Sequence, residues 1–90
     1  MDAPLKPNAL YLSIYSPNYK KELEFSGYIK SLSSVNEKGP FDILPTHENL
    51  ATVALGTIVI VDEADKRVEF NVQKAVVDVS ENLIKVFVEY

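Results

Sequence analysis

Apolar and polar residues alternate with a period of two along most of this chain, and this pattern restricts it to β-structure. In segment 9–16 the apolar residues share one face of a strand, and they are Leu10, Leu12 and Ile14. Tyr11 and Tyr15 fall on the opposite face. An apolar stripe with the helical period of about 3.6 residues is sustained nowhere in the sequence. The sequence therefore predicts an all-β protein.

Turn-forming residues divide the chain into about nine short strands, at 9–16, 23–25, 28–35, 41–44, 50–55, 57–61, 68–72, 74–79 and 83–90. Gly27 predicts a bend or bulge after the second of these strands, and Pro4 and Pro7 predict an irregular segment 1–8. Short strands that follow each other closely are typical of sandwiches and barrels. We predict one domain, residues 9–90, folded as a two-layer antiparallel β-sandwich.

Charge and composition exclude several classes of function. The chain has 13 acids and 9 bases, a net charge of −4, whereas binding to a phosphate backbone needs clustered cations. We therefore expect no nucleic-acid partner. No apolar stretch approaches the roughly 20 residues of a membrane-spanning helix, so we expect no direct membrane insertion. With no cysteine there is neither a disulfide framework nor a thiolate metal ligand.

Three of the predicted strands are apolar on both faces, which the water-exposed side of a sandwich does not require. In segment 57–61, Ile58 and Ile60 point one way while Val59 and Val61 point the other. Segments 50–55 and 83–90 show the same two-sided pattern. Ordinary surface apolarity is one explanation, because much of any protein surface is apolar. The alternative is that one outer face is covered by a partner protein.

The segment GPFDILPTHENL, residues 39–50, holds the only histidine of the chain, and its residues offer little for chemistry. A metal site needs several converging ligands, and the local candidates are His47, Asp42 and Glu48. A nucleophile activated by His47 would need a positioned hydroxyl, and no nucleophile-elbow motif surrounds Ser33, Ser34 or Thr46. The prolines and Gly39 favour a segment that makes two turns around a short strand.

A set of residues in this segment resembles the signature of the epsilon subunit of F-type ATP synthases, called delta in mitochondria, in its N-terminal β-sandwich. The set is Gly39, Phe41, Ile43, Leu44, Pro45, His47 and Leu50. Upstream, Phe25 and Gly27 resemble the entry to a strand of that family. Downstream, Gly56 with the following TIVI, and then residues 68–89, resemble its later strands. The resemblance covers residues 9–89.

The resemblance implies a non-enzymatic rotor-stalk subunit without cofactor, metal or small-molecule substrate. Such a subunit links the gamma subunit to the membrane c-ring of a proton- or sodium-translocating ATP synthase, and so couples ion flow to ATP synthesis. It implies gamma contacts at His47, Thr52, Val59 and Val61. It implies a c-ring contact loop formed by Asn36, Glu37, Lys38 and Pro40. The location implied is the cytoplasmic face of the cell membrane, held peripherally through the complex.

The sequence departs from the family pattern at several points. Lys74 and Ala75 stand where the family usually has two glycines, and Pro40 stands where many relatives have a glutamate that approaches the c-ring. The family continues into a C-terminal helical hairpin, whereas this sequence ends at Tyr90. We expect a sandwich without the hairpin, either a domain cut from a longer subunit or a subunit that naturally has none. Such a form should couple rotation without restraining ATP hydrolysis.

Two other functions remain open from the residues alone. The first is a stand-alone β-sandwich adaptor that binds a different protein partner. The second is a small hydrolase that uses His47. Binding to a gamma subunit distinguishes the stalk subunit from the adaptor, and loss of any turnover in His47→Ala identifies the hydrolase.

Overall fold

The computed structural model describes residues 9–16, 25–46 and 48–89. These residues form eight strands: β1 Leu10–Tyr15, β2 Phe25–Asn36, β3 Gly39–Ile43, β4 Leu50–Ala54, β5 Ile58–Asp62, β6 Arg67–Phe70, β7 Ala75–Ser80 and β8 Leu83–Val88. The described ranges contain no helix, so none that could span a membrane. The predicted all-β class is confirmed. The segment 1–8, predicted to be irregular, lies outside the described residues.

The strands form one curled sheet in the order β4-β7-β8-β1-β2-β5-β6, with β3 also paired to β2. The first half of β2 pairs with β1, and its second half pairs with β3 and β5. Because β2 belongs to both halves of the sheet, it joins two layers. The first layer is β4, β7, β8, β1 and the start of β2; the second is β3, the end of β2, β5 and β6. Phe25 and Phe70, from different layers, meet edge to face with ring centroids 5.9 Å apart.

The core lies between the layers and consists of the inward face of nearly every strand. The alternation read from the sequence identifies these faces correctly. Leu10, Leu12 and Ile14 of β1 are buried, as are Ile58 and Ile60 of β5. The opposite residues of β5 are half-buried on its outer side. Burial of these branched and aliphatic side chains is the main stabilising term of a chain that has no disulfide.

Two features of the sheet differ from the sequence prediction. Gly27 does not divide a strand: it pairs with Leu12 and is the third residue of a continuous β2. The irregularity falls instead at Lys30, where the register with β5 shifts between Ile29 and Ser31. One extra residue there bends β2 from the first layer into the second. The other difference is that β1 pairs with β8 in parallel, while the remaining described pairs are antiparallel.

The connection between β3 and β4 is fastened to the β7–β8 turn. Thr46 N–H donates to Asn82 Oδ1 at 2.7 Å, and Glu81 N–H donates to Asn49 Oδ1 at 3.1 Å. Glu81 and Asn82 both have positive φ, at 53° and 65°, which gives the turn the backbone of a two-residue type I′ hairpin. The segment that carries the histidine motif therefore turns the chain from the second layer to the first. His47 itself lies outside the described residues.

Candidate functional site: an apolar sheet face and an adjoining cleft

The outer face of the first layer carries an apolar row that crosses four neighbouring strands. Val53 of β4 pairs with Val76 of β7, Val76 pairs with Phe87 of β8, and Phe87 pairs with Tyr15 of β1. Paired residues in a sheet point to the same side, so the four side chains lie next to one another. Val53 is 37% exposed, Phe87 43% and Tyr15 47%, although all three are large apolar residues. We call Val53, Val76, Phe87 and Tyr15 the apolar row.

The two aromatic members of the apolar row stack on each other. The ring centroids of Tyr15 and Phe87 are 5.2 Å apart and the planes differ by 14°. Such a pair presents a broad, stiff apolar surface, and aromatic residues of this kind often dominate the binding energy of protein interfaces. The arrangement suits contact with another protein.

A second group of apolar side chains lies on the same outer face, nearer to the β7–β8 turn. Tyr11 pairs with Leu83 on one side and with Tyr28 on the other. The rings of Tyr11 and Tyr28 meet edge to face at 5.1 Å. Between this group and the apolar row, Asp78 lies opposite Lys85 in the register. Polar residues thus interrupt the apolar face, which is the composition of a typical protein interface.

A cleft of about 550 Å³ opens at the edge of β4, beside the turn between β2 and β3. The turn contributes Asn36, Glu37 and Lys38 to its lining, and β4 contributes most of the rest. Asn36 Nδ2 donates to Thr52 Oγ1 at 3.1 Å, which joins the turn to β4. Asn36 Oδ1 also accepts the backbone N–H of Lys38 at 2.8 Å. These bonds fix the shape of the turn.

The structure brings some of the predicted site residues together and separates others. Thr52, predicted as a gamma contact, lies in the cleft with Asn36, Glu37 and Lys38 of the predicted c-ring loop. Pro40 follows in β3, exposed, and pairs with Val35. The other described gamma candidates are half-buried on the outer side of β5, in the opposite layer from the apolar row; these are Val59 and Val61. His47 lies outside the described residues.

Sequence reasoning missed part of the apolar row. It noted that segments 50–55 and 83–90, which include Val53 and Phe87, are apolar on both faces, but did not connect these two residues with Tyr15 or Val76. The signal for Tyr15 was its place opposite the buried face of β1. The local pattern could not show that Phe87 is the neighbour of Tyr15, because nothing in it indicates that β1 pairs in parallel with β8.

The described residues offer no site for metal chemistry. No group of three or more histidine, cysteine, aspartate or glutamate side chains converges in the ranges that the structure covers. Asp42, one of the local candidates, instead accepts a hydrogen bond from Ser33 Oγ at 2.5 Å.

Comparison with known proteins gives a likeness of fold. No family model and no curated protein matches the sequence. Among solved structures, the chain matches one in the cryo-EM structure of the Euglena gracilis mitochondrial ATP synthase with OSCP, F1 and c-ring in rotational state 1. The TM-score is 0.81 and the identity 12%, over 100% of this chain and 61% of that chain. This chain has the fold of an ATP synthase chain.

A second match also combines a similar fold with low sequence identity. It is to a chain in the cryo-EM structure of the Tetrahymena thermophila mitochondrial ATP synthase, central stalk and c-ring, with a TM-score of 0.71 and 15% identity. It covers 92% of this chain and 65% of that chain. The chain thus spans less than two thirds of the length of either matched chain. The fold expected from the sequence resemblance is confirmed.

Proposed function

We propose that this chain is a rotor-stalk domain of an F-type ATP synthase, which links a gamma subunit to the c-ring and has no catalytic activity of its own. The observation that supports this most is the fold, shared at a TM-score of 0.81 with a chain of an ATP synthase assembly. The epsilon-type signature around His47 supports the same assignment from the sequence. In this role the chain couples proton or sodium flow to ATP synthesis.

The gamma subunit is proposed to cover the outer face of the first layer. The apolar row provides the centre of that contact, since its aromatic pair is exposed and stiff. Thr52 belongs to β4, and His47 belongs to the segment that leads into β4. Both are therefore assigned to the edge of the same contact. The assignment of Val59 and Val61 to gamma adds a second contact on the opposite layer.

The turn between β2 and β3 is proposed to contact the c-ring through Asn36, Glu37, Lys38 and Pro40. Polar side chains at an exposed turn suit contact with another polar loop. The hydrogen bonds from Asn36 to Thr52 and to Lys38 N–H hold this turn against β4. Force on the turn is therefore passed to the first layer, because β4 is paired with β7 along its length.

The proposed location is the cytoplasmic face of the membrane, where the chain is held by its partners. The test is to assemble the ATP synthase encoded in the same genome with and without this chain. We expect ATP-driven ion pumping into vesicles only when the chain is present, and co-purification of the chain with gamma. Full pumping without the chain, or a chain that elutes apart from gamma on a sizing column, would contradict the proposal and favour the stand-alone adaptor.

A further inference from the structure

We infer that the edge of β4 binds an extended acidic segment of a partner protein, which adds to the sheet as a further strand. β4 is the last strand in the sheet order, and among the described strands it pairs only with β7. Within the part of the chain that the structure describes, the backbone groups of its other edge have no ladder partner. Free edges of this kind pair readily with an extended peptide.

The backbone groups that face this edge can be identified. Leu55 N–H donates to Val35 O at 2.8 Å, so it points away from β7 and toward β2. Backbone groups of alternate residues in a strand point in the same direction. Val53 and Ala51 therefore direct their N–H and C=O groups away from β7 as well. Both residues line the cleft beside β4.

The cleft has the size and shape for such a segment. Its volume of about 550 Å³ falls within the range of about 300–1,000 Å³ typical of clefts that hold ligands. The hydrogen bond between Asn36 and Thr52 closes its inner side, because Thr52 lies on the same side of β4 as the buried Ala54. The outer side, which exposes Ala51 and Val53, stays open.

The charge of the lining favours an acidic segment. Lys38 and Lys74 line the cleft with a single acid, Glu37, whereas the whole chain has a net charge of −4. Lys74 Nζ is 3.9 Å from Glu89 Oε1, but both side chains are more than half exposed and the attraction is screened. Two ammonium groups thus remain able to meet carboxylates of a partner.

A second copy of this chain is a poor occupant of the same edge. Two copies joined along β4 would offer each other the same lining, which has two lysines, Lys38 and Lys74, and one glutamate, Glu37. The charge pattern thus favours an acidic partner of different sequence.

The test is an NMR titration of the full chain with a short capped peptide of alternating glutamate and valine. We expect saturable shifts of the backbone amides of Ala51 and Val53. A peptide with lysine in place of glutamate should bind at least about tenfold more weakly. N-methylation can be placed on either of the two alternating sets of peptide residues, and only one set directs its N–H groups toward β4. The peptide methylated on that set should also bind at least about tenfold more weakly.

Variants of the chain supply matched controls. Lys38→Glu combined with Lys74→Glu should weaken binding of the acidic peptide at least about tenfold. Lys66→Glu makes the same change at an exposed lysine in the β5–β6 loop and should change binding less than about twofold. Circular dichroism of each variant establishes that it is folded.

Three results would overturn the inference. The first is the absence of amide shifts at Ala51 and Val53 when the peptide is at millimolar concentration. The second is equal binding of the lysine peptide and the glutamate peptide. The third is a dimer, seen in sedimentation, that involves β4. The inference concerns the backbone edge of β4 and is measured with a peptide, whereas the gamma contact proposed above is centred on the rings of Phe87 and Tyr15 and is measured with the gamma subunit. Failure of this inference and failure of the proposed function are therefore distinguishable.

Discussion

The ring of Tyr15 stacks on the ring of Phe87 across a parallel pair of strands, with 5.2 Å between the ring centroids. Both rings stand on the outside of the first layer and remain 47% and 43% exposed. Full burial of one such side chain is worth about 1.5–3 kcal/mol. Contact with a partner would bury this pair, which makes it the centre of the proposed docking surface.

Gly56 should be sensitive to substitution by alanine. Its φ is +109°, a conformation that side-chain-bearing residues rarely adopt, and it connects β4 of the first layer to β5 of the second. Gly56→Ala should lower the free energy of unfolding by about 1–3 kcal/mol, through backbone strain alone since the added Cβ meets open space.

Gly27→Ala is the matched control for that strain. Gly27 lies inside β2, where the added Cβ would contact the Phe25 ring at an ordinary distance of 3.6 Å. The change should leave the free energy of unfolding within about 1 kcal/mol of the wild type, or raise it slightly. Urea denaturation measures both variants. Equal losses at the two glycines would show that the strain assigned to Gly56 is wrong.

Asn82 should matter for the connection between the layers. Its Oδ1 accepts the N–H of Thr46, and its own φ is +65°. Asn82→Ala removes the acceptor and strains the turn, so we expect a loss of about 1–3 kcal/mol in the free energy of unfolding. Asn82→Gly removes only the acceptor and should cost less. The melting temperatures of the two variants test this: we expect Asn82→Gly to melt at a higher temperature than Asn82→Ala. A glycine variant that is no more stable than the alanine variant would contradict the role of the positive φ.

Two neighbouring residues of β5 test which face of the strand is the core. Ile60 is fully buried, whereas Val61 is half-buried on the outer side. Ile60→Ala should lower the free energy of unfolding by about 2–5 kcal/mol, because it leaves a cavity between the layers. Val61→Ala should cost under about 1.5 kcal/mol. Chemical denaturation separates the two, and a larger loss at Val61 would reverse the assignment of the faces.

Much of the fold could be predicted from the sequence, because the alternation of residues such as Leu10, Leu12 and Ile14 directly reflects which face is buried. Local pattern does not contain the pairing of distant strands. The parallel pair of β1 and β8, which places Tyr15 beside Phe87, therefore had no sequence signal. The bend of β2 was predicted at Gly27 but falls at Lys30, since the shift is set by pairing with β5 rather than by glycine.

The candidate site was predictable to a smaller extent. Two-sided apolar strands indicated an outer face for a partner, and Val53 and Phe87 belong to it. The cleft beside Thr52 was not foreseen, because it depends on how the β2–β3 turn folds back toward β4. Residues distant in the sequence form that cleft, and only the three-dimensional arrangement shows that they share it.

The most direct test of the account is the affinity of this chain for the gamma subunit, compared between the wild type, Phe87→Glu and Ala64→Glu. Phe87→Glu places a charge in the apolar row and should weaken binding at least about 30-fold, since central aromatic residues often contribute 2 kcal/mol or more. Ala64→Glu also replaces an exposed apolar residue by glutamate, but in the β5–β6 loop, outside every proposed contact, and should change affinity less than about threefold. Isothermal titration calorimetry with folded variants measures both. Equal affinities for Phe87→Glu and the wild type would contradict the claim that the first layer is the docking face.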